Sequence, residues 1–259
     1  MPTTYTHYKF GEAVYHTLPE DLKILIDTHR ELYDIGLHGP DILFYFRPYR
    51  KNKINTLGGK IHQEVASNFF SNGKKLYQQS NDDAMLVYLL GFINHFILDS
   101  ECHHYINHYV IEKNVSHSLI EAQWDRLLLL QDGKNPTSVR VTSHLFPSKE
   151  NAAIIAPLFS LSQKEVYHSL NDMKRYLNLL VCGNFKRKLI KLIIDLLRLN
   201  PSYYDLIIQE DGDSRCDESN QVLIQKYQNA ITIASKQIIT FFKTINQDEL
   251  DSRFNQNFE

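Results

Sequence analysis

The chain has 259 residues and a formal net charge of −2, with a pI near 6.6, so it presents no overall field that would gather nucleic acid or an anionic membrane. Its cysteines, Cys102, Cys182 and Cys216, are odd in number and far apart, which argues against a disulfide framework and for a reducing compartment. The opening MPTTYTHYKFGEAVYH has no basic stretch followed by an apolar one, and no run of about eighteen apolar residues follows it, so neither a signal peptide nor a membrane span is read and the cytoplasm is the expected location.

Taken in chain order, the segment from Tyr5 to Val14 carries His7, and Thr17-Leu-Pro-Glu then caps and starts a helix over residues 20–35. Residues 36–49, GLHGPDILFYFRPY, hold Gly39-Pro40 and Pro48 as breakers and read as an irregular segment packed into the protein, with His38 and Asp41 among large apolar residues. Arg47, Arg50, Lys51 and Lys53 form a short basic patch, usually a solvated loop and sometimes an anion clamp. From Leu57 a helix is expected, with His62 on the side of Ala66, Phe69 and Phe70. Asn81 and Asp82 cap the next one.

That next helix is the centre of the sequence. In GFINHFILDSECHHYINH, residues 91–108, His95, Asp99 and His103 recur every fourth residue and so share one stripe of a helix that is apolar on most other sides. Buried imidazole and carboxylate need partners, and a cation such as Zn²⁺ supplies them. His104 and His108 fall off the stripe, and Cys102 beside it reads as a small buried hydrophobe. After a break near Lys113-Asn114, Ser116 caps a helix from His117 to Leu130 in which His117 and Glu121 are again four apart. Residues 131–152 read as connection, and 162–182, 185–199 and 218–246 as helices, with an exposed acidic loop at 209–220. Sustained strand alternation is absent from the sequence, so the fold class is all-α. Residues 1–259 read as a single helical domain, residues 1–130 carrying the ligands and 150–259 supplying supporting helices or a subdomain of their own.

The candidate metal ligands are therefore His7, Asp41, His62, His95, Asp99, His103, His117 and Glu121. Thr6-His7, Gly39-Pro40-Asp41, His62, His95-x3-Asp99 with a histidine soon after, and His117-x3-Glu121 together resemble the zinc-dependent phospholipase C family, which shares its fold with the S1/P1 nucleases. The resemblance covers residues 5 to about 130 and implies a multi-helix bundle with two or three zinc ions in a cleft and hydrolysis of phosphodiesters by a metal-bound hydroxide. It assigns His62, His95 and Asp99 to one ion, His103, His117 and Glu121 to a second, and Asp99 with His7 to a third. Asp41 is similar to the acidic residue at the cluster that serves as ligand or as catalytic base. In the family the histidine after the HxxxD pair comes slightly later, which keeps His104 and His108 open as alternatives to His103. Secreted members also use the amine of their first mature residue, for which Pro2 is the matching position if Met1 is removed.

The implied substrate is a phosphodiester, phospholipid in the family, although no obvious membrane-binding segment stands out. An S1/P1-like nuclease or nucleotide phosphatase is the alternative, with Tyr45, Phe46, Tyr49 and Trp124 as candidate faces for bases that an aromatic-rich core explains equally well. A metal-stabilised helical binding protein without activity is the alternative from another class. Arg47 or Arg50 is a candidate to steady the substrate phosphate, with a solvated position as the other reading.

Overall fold

The computed structural model describes residues 4–196 and 202–259, so Pro2 and the last residues of the expected helix 185–199 lie outside the described residues. The described residues hold twelve α-helices joined by short 3-10 turns, with no strand among them, which bears out the all-α expectation. The first three helices are α1 (Thr4–Thr17), α2 (Glu20–Thr28) and α3 (Arg30–Gly36). The single helix expected over 20–35 is broken at His29, whose φ of −133° and ψ of 37° turn the axis so that Leu22 and Ile26 on one side and Leu32 and Tyr33 on the other all reach the core.

A 3-10 turn, Gly39–Tyr45, follows, and its residues up to Leu43 are buried. Asn52 then caps α4 (Lys53–Gln63) through a reciprocal exchange with Asn55. The helix thus begins one turn before Leu57 and stops at Gln63. Glu64 is extended, and α5 (Ala66–Ser80) is a separate helix, so His62 does not share a helix with Phe69 and Phe70 as expected. Asp82 caps α6 (Asp83–Lys113) by accepting from the Ala84 amide at 2.9 Å, whereas Asn81 ends α5 in the left-handed conformation.

The 31-residue α6 is the axis of the protein, buried almost continuously from Ala84 to Asp99. It is long and apolar enough to cross a membrane by length and composition, but it is enclosed by the other helices. Helix α3 lies against it at backbone distance, because a Cβ on Gly91 would stand 2.3 Å from the Tyr33 carbonyl oxygen and 3.0 Å from the Gly36 Cα. Only glycine permits that approach.

Ser116 caps α7 (His117–Gln131) through the Leu119 amide, as expected. The connection at 131–148 ends at α8 (Lys149–Ile155), capped by Ser148. Next come α9 (Gln163–Leu180), α10 (Asn184–Leu196), the short α11 (Ser202–Asp205) and α12 (Asp217–Lys243). Helix α12 also packs along α6, and α1 touches both α6 and α12. The acidic loop before α12 is less free than its composition suggested. Cys216 within it is buried, and the Asp213 amide donates to Gln123 on α7. The end of α12 is held by Lys74 from α5, whose Nζ donates to the carbonyls of Thr244, Gln247 and Glu249 at 2.7, 3.0 and 2.7 Å. Thr244 is the C-cap of α12 and the other two carbonyls follow it, so the cation there also meets the negative end of the helix dipole. Beyond it, Phe254 and Phe258 return to the aromatic core around Phe70 and Phe96.

Candidate metal centre

The middle of α6 supplies His95, Asp99 and His103, all buried on one stripe. Facing them, α1 contributes His7, the Gly39–Tyr45 turn Asp41, α4 His62, and α7 both His117 and Glu121. All eight come together. Three groups have their ligand atoms within 4.8 Å of one another: His7 with His95 and Asp99, Asp41 with His62 and His95, and His103 with His117 and Glu121. The third group has the membership that the family resemblance implied. The first two differ from it, since Asp41 stands with His62 and His95, and His95 also stands with His7 and Asp99. Asp99 remains central, its Oδ2 3.1 Å from His95 Nε2 and 3.7 Å from His62 Nε2, and its Oδ1 3.2 Å from His7 Nε2. His104 and His108 are exposed, and His108 faces Glu112 instead.

The rings are oriented from behind. His62 Nδ1 bonds the Gly58 carbonyl at 2.8 Å, which turns Nε2 toward Asp41 at 3.1 Å. His103 Nδ1 bonds the Phe258 carbonyl at 3.1 Å, which turns Nε2 toward Glu121 at 3.6 Å. A carbonyl on one imidazole nitrogen sets the tautomer that leaves the other free to ligate. Gly39, at φ +47°, lies so close to His95 that a Cβ there would stand 2.2 Å from the ring, so the turn bearing Asp41 can reach the cluster only with glycine before Pro40.

Geometry and charge both call for a cation. Nε2 of His62, both ring nitrogens of His95, Asp41 Oδ1, Asp99 Oδ2 and Glu121 Oε2 are buried without a hydrogen bond, although nitrogens and oxygens face one another. Each such group costs about 1–3 kcal/mol when it stays unpaired. Nitrogen and carboxylate oxygen converging in threes form a zinc-type donor set. In the cation-free protein the protons carry this charge. Burial lowers His103, but Asp99 and then Glu121 outweigh it and raise the imidazole to about 10. Burial would raise Asp99 and Glu121, yet the neighbouring imidazoles hold both carboxyls below their ordinary range.

Two supporting pairs escaped the sequence. Asp125, one helical turn beyond Glu121, is wholly buried and accepts from the Tyr5 amide at 3.2 Å, the Thr6 amide at 2.8 Å and the Thr6 hydroxyl at 2.6 Å. It thereby caps α1 from another helix and locks His7 against α7. His38 Nε2 meets His144 Nε2 at 2.7 Å and ties the Asp41 turn to the loop after α7. Burial, with Lys174 and Arg30, lowers His144 to about 3, so it is neutral at physiological pH and the pair shares one N–H. Both contacts link residues more than a hundred positions apart, with no local signal in the chain.

Beside the cluster lies a cleft of about 820 Å³, within the range of small-molecule sites. Tyr45, Gly59, Gln63 and Ser118, neighbours of Asp41, His62 and His117 in the turns that carry them, form its inner side. Burial and then the carboxylates of Asp41 and Glu121 raise the Tyr45 phenol, which places it between cleft and cluster. Leu177, Leu180, Val181, Leu206 and Ile208 make an apolar wall, and Tyr49, Arg50, Lys51 and Lys60 are among the other lining residues. Of the other residues singled out in the sequence, Arg47 and Phe46 do not line the cleft, and Trp124 is a core residue against Tyr227. Cys102 is buried, as expected, and the described structure leaves all three cysteines free.

A family model described as zinc dependent phospholipase C matches residues 6–177, from the residue before His7 to the apolar wall of the cleft. Neither the curated proteins nor the solved structures contain a match.

Proposed function

The chain belongs to the zinc-dependent phospholipase C family, and from that membership we propose that it hydrolyses the phosphodiester bond of phospholipids at the cluster around Asp99. The observation that carries the reading is the convergence of imidazole nitrogens and carboxylate oxygens, buried and without hydrogen bonds, beside a cleft with an apolar wall. His103, His117 and Glu121 would hold one zinc ion, and His7, Asp41, His62, His95 and Asp99 one or two more. Bound there, zinc supplies Lewis acidity that activates water and neutralises charge building on phosphate oxygens.

The chain's own groups do the rest. Burial raises Asp41, but the His95 and His62 imidazoles hold it below the ordinary carboxylate range, so it is ionised at neutral pH and can take a proton from the attacking water. Gly58 and Phe258, through their carbonyls, keep the His62 and His103 rings from turning. Arg50, Lys51 and Lys60 give the cleft a positive side for the phosphate, and Arg50 can grip two of its oxygens at once. Leu177, Leu180, Val181, Leu206 and Ile208 exclude water and suit an acyl chain better than a base. This wall favours a lipid over the nucleic acid alternative, for which Tyr45 and Tyr49 are the aromatic faces in the cleft.

The test is zinc, iron and manganese content per chain of untagged protein, with bis-p-nitrophenyl phosphate turnover on the same samples, for wild type, Asp99→Ala and Glu121→Ala. Two or three zinc equivalents that fall with turnover in both variants support the reading. Less than one equivalent of any metal, unaltered by either substitution after reconstitution, overturns it.

A further inference from the structure

Helix α10 is amphipathic in the wrong direction for a packed helix. Ile190 and Ile194 face inward, whereas Phe185, Leu189, Leu192, Ile193 and Leu196 form one stripe on the opposite face and are exposed, Phe185 at 86%, Leu192 at 61% and Leu196 at 77%. Five of the twelve exposed large apolar residues among those described fall in this one helix. On the helical wheel Lys186 and Lys188 flank the stripe on either side, and Arg187 and Lys191 follow, so the helix carries four cations against the single carboxylate of Asp195. This is a local reversal of the chain's net charge of −2.

The position of the helix gives the pattern a direction. The chain leaves the apolar wall of the cleft at Leu180 and Val181, forms α10, and returns to the same wall at Leu206 and Ile208. Lys186 folds back to donate to the Val181 carbonyl at 3.1 Å, and Lys191 lies over the Tyr204 ring at 5.4 Å. The helix that carries the stripe is therefore tethered on both sides to the wall of the cleft that Arg50, Lys51 and Lys60 also line.

We propose that α10 docks the protein on an anionic phospholipid surface, with the apolar stripe in the acyl boundary, its lysines among the headgroups and the cleft mouth alongside. An apolar stripe between cationic flanks is the pattern of helices that lie in a membrane interface. A second copy of the chain is the poorer occupant, because pairing two stripes would bring eight cations together. The proposal rests on the phospholipid reading, and it names the surface on which that substrate is met.

The test is co-sedimentation of the full chain with vesicles of phosphatidylglycerol and, separately, of phosphatidylcholine, at low and high salt. The variants are Lys188→Glu and the double substitution Leu192→Ser with Leu196→Ser, neither of which touches the cleft. Wild type sediments with phosphatidylglycerol, and less with phosphatidylcholine or with added salt. The double variant loses about tenfold in affinity per residue and the charge reversal at least about fivefold, while circular dichroism and bis-p-nitrophenyl phosphate turnover stay at wild-type values. Wild type that binds neither vesicle, or variants that bind as wild type does, overturn the proposal. So does a wild-type dimer in sedimentation equilibrium that the double variant dissolves, since the stripe would then be covered by a second copy. Sedimentation needs no turnover, so the surface can fail while the hydrolase stands, and the reverse.

Discussion

Replacing Asp125 with alanine tests how α1 is held against the cluster. The substitution leaves the amides of Tyr5 and Thr6 and the Thr6 hydroxyl without their acceptor in a buried place. Hydrogen bonds to a charged group contribute about 1.5–3 kcal/mol each, and the loss of an N-cap alone costs about 1 kcal/mol. Against this stands the cost of burying the charge. Burial raises Asp125 to about 7, even though the Thr6 and Tyr5 donors pull it down. The net expectation is a loss of about 3–5 kcal/mol, or about 6–10 °C in Tm for a chain of this size.

The same carboxyl sets a pH dependence of definite sign. Its folded pKa, about 7, exceeds the ordinary aspartate value of 3.8, so its contribution is full below about pH 4 and is lost as pH rises through about 7. The assay is denaturant unfolding of chelator-stripped wild type, Asp125→Ala and Asp125→Asn at about pH 5 and about pH 8. Asparagine keeps one acceptor and cannot ionise, so the stability of wild type relative to it should fall between the two pH values, by up to roughly 2.5 kcal/mol. A wild type that gains on the asparagine variant as pH rises would refute the reasoning. So would an alanine variant within about 0.5 kcal/mol of wild type.

Gly39→Ala puts a Cβ 2.2 Å from the His95 ring at a backbone φ of +47°. It should lower both zinc content and turnover, the latter by at least about tenfold, with helicity unchanged; full metal content and turnover would show that the turn has room to yield. Zinc binding to stripped protein near neutral pH should release at least about one proton per chain, because His103, raised to about 10 by Asp99 and Glu121 against the effect of burial, is an imidazolium until the ion displaces its proton. Isothermal titration calorimetry in two buffers of different ionisation enthalpy reads the number, and a value of zero removes the protonated cluster. In stripped protein the stabilising contact of that imidazolium is full below about pH 6.5 and lost as pH rises through about 10.

Much of the candidate cluster is legible because its signals are local. His95, Asp99 and His103 declare themselves by a period of four in an apolar run, and Ser116 and Asp82 cap the helices that their position predicts. What stayed hidden depends on contacts between distant parts of the chain. The Asp125 cap spans 119 residues to Thr6 and the His38–His144 pair spans 106, and neither leaves a trace in nearby spacing. The division of His95 between Asp41 and His7 is likewise a fact of assembly. Helix α10 shows a different limit. An amphipathic period looks the same whether its apolar stripe faces a core or a lipid surface, so the sequence of residues 185–199 reads as one more supporting helix, whereas the described part of α10 exposes its stripe.

Phe258 has a bearing on the order of events in the cell. Its amide donates to the His62 carbonyl and its own carbonyl receives His103 Nδ1, so a single residue near the end of the chain holds histidines on two helices made much earlier. During synthesis the imidazoles of α1, α4 and α6 leave the ribosome long before the carbonyl that orients one of them, 155 residues away. An ion met during that interval would find His103 free to turn and choose another partner. If zinc binds there, the His103 set would acquire its final ring orientation only once residue 258 has been made and docked, which would put correct loading of that set after folding rather than alongside it.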